Sequence, residues 1–150
     1  MGLQAYKSGT VTFDGAVRFP KEVRTTKAGP LVTMAGGAVL YVRGERVGTA
    51  SVVYQDALGT MNEAEYWGLT LALDLARRHG VTHLMVFGDS QLVIRQMLNL
   101  YKCRAPNLKP WKKLAQGMAK WFSRREYHWQ RREMPTSKEA DKLAGQALGR

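Results

Sequence analysis

Four acidic residues stand where apolar side chains would be expected, and their chemistry suits a metal site. Asp14 lies in the middle of a predicted strand, and Asp89 ends a run of apolar residues. Glu65 and Asp141 lie in the first turns of two predicted helices. Carboxylates that are held together repel one another, so a divalent cation would stabilise such a group. Oxygen ligands without cysteine or a nearby histidine favour Mg²⁺ or Mn²⁺ over zinc.

Each acid also has an ordinary structural interpretation, which the sequence leaves open. Asp14 could occupy a turn, although Asp is uncommon in the middle of strands. Asp89 could cap the helix that follows it. Glu65 and Asp141 could simply be stabilised by the positive ends of their helices. A shared site explains all four, because strand ends and helix starts meet at one edge of an α/β sheet, where ligands bind.

The charge of the chain favours an anionic partner. The 150 residues include 23 Lys and Arg and 12 Asp and Glu, a net charge of +11. Residues 101–150 alone hold 13 basic and 4 acidic side chains. A positive field gathered in one third of a small protein attracts a polyanion such as nucleic acid, although such charges can also serve solubility alone. Beside a carboxylate-bound pair of metal ions, such a surface predicts phosphodiester hydrolysis.

Composition argues against several other classes of protein. The single Cys103 excludes an internal disulfide framework and a multi-cysteine zinc site. The longest uncharged stretch, residues 28–42, is too short and too broken by Pro30 and three glycines to cross a bilayer. The first residues carry no apolar signal segment. We therefore expect an intracellular, cytoplasmic monomer that binds no membrane and no small organic cofactor.

Hydrophobic periodicity predicts one α/β domain over residues 1–150, with strands first and alternating elements later. Strands are expected at residues 10–19, 34–43, 46–55, 82–87 and 126–131. Helices are expected at residues 61–78, 90–100, 107–122 and 137–148. The first three strands should form an antiparallel meander, with a tight turn at Gly44 and Glu45. The apolar strand 82–87 should be covered on both faces. The order indicates a mixed sheet with helices on its faces.

Capping patterns and periodicity add detail to these helices. Thr60 can accept a hydrogen bond from the amide of Glu63, whose side chain can reach back. A second capping pattern places the start of the last helix at Ser137. The residues expected to form the core face of helix 107–122 are Trp111, Leu114, Met118 and Trp121. Stacking of Trp111 on a base is the alternative.

Four motifs resemble those of the type 1 ribonuclease H family, in the same order and over nearly the whole chain. They are Thr-Phe-Asp-Gly-Ala at 12–16, Thr-Met-Asn-Glu-Ala-Glu at 60–65, Gly-Asp-Ser-Gln at 88–91 and Glu-Ala-Asp-Lys-Leu-Ala at 139–144. The resemblance implies a ribonuclease H-like, five-stranded mixed sheet. It also implies two divalent metal ions on a carboxylate tetrad, which by motif is Asp14, Glu65, Asp89 and Asp141.

The resemblance also implies contacts with the substrate. Asn62 and Gln91 correspond to residues that touch bases or sugars in the minor groove, and Thr60 to one that holds a DNA phosphate. The basic, aromatic stretch around Lys109, Lys112 and Lys113 could follow the DNA strand by phosphate contacts. Further cations that could join it are Lys120, Arg124 and Arg125, with Trp121 beside them.

The implied activity is endonucleolytic cleavage of the RNA strand of RNA/DNA hybrids, which leaves 5′-phosphate and 3′-hydroxyl ends. The 2′-hydroxyls of that strand would select it. The chain lacks the histidine that many members carry in the loop before the last helix, where Arg132 or Glu133 could contribute instead. His128, just upstream, is expected to be structural. A binding module without turnover, or a nuclease for double-stranded RNA or other duplexes, remains an alternative.

Overall fold

The residues that the structure describes form seven strands and four helices. This computed structural model describes residues 5–20, 22 and 24–150. The strands are β1 (Ser8–Arg18), β2 (Thr25–Thr26), β3 (Gly29–Pro30), β4 (Val32–Val42), β5 (Glu45–Ala57), β6 (His83–Gly88) and β7 (Arg124–Trp129). The helices are α1 (Met61–Arg78), α2 (Gln91–Met97), α3 (Lys109–Ala119) and α4 (Pro135–Ala147). Within these ranges, no helix combines the length and apolar character needed to cross a membrane.

The main sheet has five strands in the order β5-β4-β1-β6-β7. Strands β5, β4 and β1 pair antiparallel as the predicted meander, whereas β6 pairs parallel to both β1 and β7. The mixed α/β sheet predicted from the sequence is therefore confirmed. The short strands β2 and β3 form a separate hairpin in the basic loop after β1, where the sequence predicted no structure.

Helices cover both faces of the sheet, and the larger core lies under α1. This core joins Val11 and Phe13 of β1 to Leu69 and Leu73 of α1. Helix α1 has the predicted bounds, because Thr60 Oγ1 accepts from the Glu63 amide at 3.3 Å and Gly80 follows its end with a φ of +73°. On the opposite face, α4 packs against β4, β1 and β5.

Strand β6 is covered less completely than its apolar sequence predicts. Leu84 and Val86 are buried beneath the helices, but Met85 and Phe87 on the other face are only partly buried. The prediction of two covered faces is wrong, because α4 packs on the meander and not on β6.

The turn of the meander lies one residue earlier than predicted. Val42 pairs with Glu45, so the loop consists of Arg43 and Gly44. Both have positive φ, +55° and +77° respectively. This is the backbone of a two-residue hairpin turn whose twist matches that of the flanking strands.

Helix α3 packs through a different face from the one its large apolar residues predict. Ala115 and Ala119 are buried, whereas Leu114 and Trp121 are 50% and 41% exposed. Trp111 and Met118 only border the core. The prediction of the core face is therefore wrong for Leu114 and Trp121. The helix packs through its alanines because their small side chains let α3 approach the neighbouring elements closely.

Helix α4 begins two residues before the predicted start. Pro135 occupies its first turn, where the missing amide hydrogen costs no hydrogen bond, and Met134 is the N-cap. Ser137 therefore lies inside the first turn of α4 and is not its first residue. Its buried hydroxyl accepts a hydrogen bond from Gln130 Nε2 at 2.8 Å.

Candidate active site

Asp14 and Glu65 are brought together by the close packing of α1 on β1. A Cβ atom added at Gly15 would lie 2.3 Å from the Ala64 carbonyl and 2.5 Å from the Glu65 amide. A Cβ added at Gly68 would lie 2.2 Å from the Asp14 carbonyl oxygen. The two glycines therefore allow the backbones to touch at the point where each element carries its carboxylate.

Asp89 joins this pair because β6 runs parallel to β1. Phe13 pairs with Gly88, so the residues that follow, Asp14 and Asp89, lie at the same end of neighbouring strands. One carboxylate oxygen from each of Asp14, Glu65 and Asp89 lies within 4.8 Å of the others. The predicted strand and helix ends thus meet at one edge of the sheet, as the sequence suggested.

Burial and repulsion between carboxylates keep Asp14 and Glu65 from ionising normally. Asp14 is 6% and Glu65 5% exposed. Burial, followed by the charge of Asp89, raises the pKa of Asp14 from 3.8 to about 7. Burial, followed by the charges of Asp14 and Asp89, raises the pKa of Glu65 well above its usual value. Because ionising either carboxyl is unfavourable here, a positive charge nearby would stabilise the ionised form.

The residues present fit a divalent cation. Glu65 Oε2 is buried, and no hydrogen-bond partner reaches it from the described part of the chain. Such an oxygen is costly to bury unless something coordinates it. Three hard oxygen donors close together, without sulfur, are the ligands that Mg²⁺ and Mn²⁺ prefer.

Asp141 lies next to this triad but is not part of its closest grouping. It stands on the exposed side of α4, and hydrogen bonding from its side chain is one of the influences that raise the pKa of Asp14. Helix α4 can pass here because Gly37, the strand partner of Asp14, has no side chain: a Cβ there would lie 2.2 Å from the Ala140 carbonyl oxygen. Asp141 is thus placed to complete a set of four carboxylates.

The loop before α4 reaches Asp89. Arg132 Nε lies 3.6 Å from Asp89 Oδ2, although the arginine side chain is 80% exposed. Trp129 Nε1 donates to the Asp89 carbonyl oxygen at 3.0 Å. Glu133 is exposed. His128 stacks on Phe87 with ring centroids 5.1 Å apart, in keeping with the structural role expected for it.

Polar side chains surround the carboxylates at the helix starts. Thr60, Asn62 and Gln91 are exposed in the first turns of α1 and α2. Glu63 does not complete the predicted reciprocal cap: its Oε1 accepts a hydrogen bond from Asn107 Nδ2 at 2.5 Å. Sequence reasoning missed Asn107, because its partner lies 44 residues away and only tertiary packing brings the two together.

Five cations line a cleft beside α3, which we call the basic cleft. Its volume is about 520 Å³. Its basic residues are Lys102, Arg104, Lys109, Lys112 and Lys113. Lys102 and Arg104 were not predicted, although their alternation with Cys103 in a charged loop is a signal that could have found them. Lys120, Arg124 and Arg125, which were expected to join this group, do not line the cleft. They follow the far end of α3, and its 11 residues separate the two ends of the helix by about 16 Å.

Comparison with known proteins agrees with this architecture. Residues 19–147 match a family model described as reverse transcriptase-like. The bifunctional protein Rv2228c of Mycobacterium tuberculosis is 36% identical over 112 residues, which are 75% of this chain and 30% of that protein. A ribonuclease HI of Halobacterium salinarum is 29% identical over 138 residues, 91% of this chain and 62% of that protein. The chain thus spans less than two thirds of either relative.

Solved structures show the same fold. The crystal structure of RNase H1 from Halobacterium salinarum has a TM-score of 0.79 at 28% identity and covers 95% of this chain and 98% of its own. LC11-RNase H1 in complex with an RNA/DNA hybrid has a TM-score of 0.77 at 23% identity, with 94% and 96% covered. The chain therefore belongs to the ribonuclease H-like family of that reverse transcriptase-like model, and its resemblance to type 1 ribonucleases H is confirmed.

Proposed function

We propose that the chain is an endoribonuclease that hydrolyses the RNA strand of RNA/DNA hybrids and leaves 5′-phosphate and 3′-hydroxyl ends. The observation that carries this proposal is the meeting of Asp14, Glu65 and Asp89 within 4.8 Å, with an unpartnered buried oxygen on Glu65. The hybrid bound to LC11-RNase H1, a protein of the same fold, supports the choice of substrate.

Four carboxylates would hold two Mg²⁺ or Mn²⁺ ions: Asp14, Glu65, Asp89 and Asp141. When bound, such a pair supplies a water molecule activated for attack and stabilises the leaving oxygen. The chain itself fixes the donors, since burial and the glycine contacts prevent Asp14 and Glu65 from moving apart. Because one chain provides all four acids, we take the monomer as the functional unit, acting inside the cell where Cys103 stays reduced.

Arg132 is placed to act on Asp89 through charge. Its guanidinium lies 3.6 Å from the Asp89 carboxylate, in the loop where many relatives carry a histidine. A cation there partly offsets the repulsion between Asp89 and its two acidic neighbours. Its exposure leaves it free to turn toward a phosphate of the product.

The surrounding residues would position the duplex. Asn62 and Gln91 would reach the minor groove, where 2′-hydroxyls distinguish the RNA strand. Thr60 would contact a phosphate of the DNA strand. Lys109, Lys112 and Lys113 in the basic cleft would hold further phosphates without sequence preference.

The proposal is tested with labelled RNA/DNA, RNA/RNA and DNA/DNA duplexes in Mg²⁺ or Mn²⁺. We expect cleavage of the RNA strand of the hybrid, and Asp89→Asn should lower its rate by at least about 100-fold, the scale of losing one electrostatic group in a reaction centre. Asp74→Asn is the matched control, since Asp74 is a half-buried acid near the end of α1 whose partners among the described residues are Arg77 and Arg78.

The outcomes separate the alternatives. Binding without cleavage of any duplex would identify a non-catalytic module. Faster cutting of RNA/RNA than of the hybrid would identify a different nuclease. Equal rates for Asp89→Asn and Asp74→Asn would reject the assigned site.

A further inference from the structure

A second concentration of positive charge lies at the end of the molecule remote from the carboxylates. We call it the basic pole and define it by Lys7, Arg77, Lys120, Trp121, Arg124 and Arg125. It combines the start of β1, the end of α1 and the segment between α3 and β7. Neither the carboxylate site nor the basic cleft includes any of these residues.

Contacts join these segments into one surface. The Arg77 guanidinium lies 5.8 Å from the centre of the Trp121 ring. Lys7 Nζ donates to the carbonyl oxygen of His79, just after Arg77, at 2.7 Å. The Lys7 amide bonds to Thr82, whose carbonyl oxygen accepts from the Arg124 amide at 3.3 Å. These contacts hold the backbone of the four segments together at one end of the molecule.

Trp121 is the unusual member of the pole. It is 41% exposed, whereas its neighbour Phe122 is 1% exposed and completes the core. By contrast, Trp111, at the start of α3, packs edge-on against Trp67 with ring centroids 6.2 Å apart. An exposed indole beside a guanidinium loses apolar burial and gains only a modest cation–π interaction. Its position thus favours contact with a partner rather than folding.

The charge of the pole is only partly neutralised. Asp74 pairs with Arg77 at 3.8 Å, and Glu126 lies 3.8 Å from Arg124. In the described residues, Lys120 and Arg125 have no carboxylate within 4 Å. Arg125 instead donates to the Phe122 carbonyl oxygen at 3.4 Å. Along the chain, the exposed indole is therefore flanked by Lys120 before it and Arg125 after it, neither of which pairs with a carboxylate in the described residues.

The pole is separated from the carboxylates by most of the length of α1 and by the parallel strands. Arg77 follows Glu65 by twelve residues in one helix, about 18 Å along its axis. In β6 and β7, His83 and Arg124 begin the strands that end beside Asp89. The two surfaces thus occupy opposite ends of the sheet and helices.

We propose that the basic pole binds single-stranded nucleic acid, with Trp121 stacking on an unpaired base and Lys120, Arg124 and Arg125 contacting phosphates. Alternating cations and an exposed aromatic ring are what a single strand requires, since its bases are free to stack and its backbone is flexible enough to follow the surface. A base within a duplex offers no free face to the indole. A hybrid with a single-stranded tail would then engage both surfaces and bind more tightly than a blunt one.

The probe is a fluorescent oligothymidylate of about 12 nucleotides, within the usual footprint of single-strand-binding domains, in buffer without divalent metal. Trp121→Ala should weaken its binding about tenfold, the scale of one lost stacking contact, whereas Trp121→Phe should keep most of the affinity. Oligothymidylate should quench wild-type tryptophan fluorescence, and Trp121→Phe should remove that quenching while binding persists. The double variant Arg124→Gln/Arg125→Gln should reduce the salt dependence by about 1.4 in logarithmic slope.

The comparison variant is Lys112→Gln/Lys113→Gln in the basic cleft, which should lower the affinity for oligothymidylate less than Arg124→Gln/Arg125→Gln does. Unchanged melting temperatures will show that the variants are folded. The proposal is overturned if Trp121→Ala binds like wild type, if the Lys112/Lys113 variant loses more affinity than the pole variants, or if polyglutamate binds the pole equally well with or without Trp121. Because the probe is never cleaved, this result is independent of the ribonuclease assay, in which the pole variants should cut a blunt hybrid at the wild-type rate.

Discussion

The two ends of this molecule carry charge in opposite ways. At the carboxylate end, Asp14 and Glu65 are almost fully buried and repel each other. At the basic pole, Trp121 is 41% exposed and the side chain of Arg124 is 72% exposed, so both groups stay in contact with water. Buried charge must be held by packing and calls for a counter-ion, whereas exposed charge costs little and is positioned loosely.

This difference shows which end of the molecule depends on close backbone packing. Backbone contacts at Gly15, Gly37 and Gly68 fix the carboxylates, and a side chain at any of them would meet backbone atoms closer than 2.4 Å. By contrast, glycine at 117 on the outer side of α3 has no atom near its missing Cβ. Substitutions should therefore be felt strongly at one end and weakly at the other.

The largest expected effect concerns stability without metal. Asp14 has its pKa raised to about 7, so both states are protonated below about pH 4 and only the unfolded state ionises as the pH rises toward 7. The metal-free protein should thus lose stability across this window, on the order of 4 kcal/mol at 1.36 kcal/mol per pKa unit. Asp14→Asn cannot ionise and should be the more stable protein at pH 8, but not at pH 4.

Thermal unfolding in a chelating buffer checks this, with Mg²⁺ added back as the control. Mg²⁺ should raise the melting temperature of the wild type at pH 8 and have little effect on Asp14→Asn. A stability difference between the two proteins that is the same at pH 4 and pH 8 would contradict the repulsion inferred at this site.

The next effect concerns packing. Gly15→Ala places a methyl group 2.3 Å from the Ala64 carbonyl, which should cost about 1–3 kcal/mol by overpacking. The displaced α1 would carry Glu65 with it, and a shift of about 1 Å in a reacting group can lower the rate 100-fold. Gly117→Ala, in the last turn of α3, is the control and should stabilise by up to about 1 kcal/mol. Denaturant unfolding and hybrid cleavage measure both; a fully active Gly15→Ala protein would show that the contact does not position Glu65.

The smallest effect compares the two basic surfaces. Lys112→Gln/Lys113→Gln should weaken binding of a blunt hybrid and reduce its salt dependence by about 1.8 in logarithmic slope, since each phosphate contact contributes about 0.9. Arg124→Gln/Arg125→Gln should leave that slope unchanged. Hybrid affinity measured over a range of salt concentrations, with Asp89→Asn to prevent cleavage, distinguishes the surfaces. Equal salt dependence of hybrid affinity in the two double variants would mean that the duplex does not bind the basic cleft in preference to the basic pole.

Local signals in the sequence predicted much of the fold. The bounds of α1 follow from Thr60 before it and Gly80 after it, since both a side-chain cap and a left-handed glycine act within one turn. The meander and the parallel strands follow from the change in hydrophobic period. The family motifs added the sheet topology, which periodicity alone left open.

Features that depend on distant contacts were predicted poorly. Periodicity placed Leu114 and Trp121 in the core because it favours large apolar residues, whereas α3 packs through Ala115 and Ala119. The last helix was predicted to begin at Ser137, whereas it begins at Pro135, and Gln130 of the preceding loop donates to the Ser137 hydroxyl. In each case the deciding partner comes from the tertiary fold.

The carboxylates could be singled out from the sequence because an acid among apolar residues is rare. The distances between them, and the raised pKa values of Asp14 and Glu65, could not be predicted, since these depend on glycine contacts between β1, β4 and the two helices. Asn107 and the cations at Lys102 and Arg104 lie in an irregular loop, where no periodic pattern shows the direction of a side chain.

The position of Asp141 in the chain has a consequence for biosynthesis. Asp14 belongs to the first strand, whereas Asp141 arrives with the last helix and can dock only over Gly37. A ribosome therefore makes three of the four acids long before the fourth, and domains form as their segments emerge. If the proposed activity requires all four, a half-made polypeptide cannot yet cut nucleic acid, and translation itself sets the moment at which the site is complete.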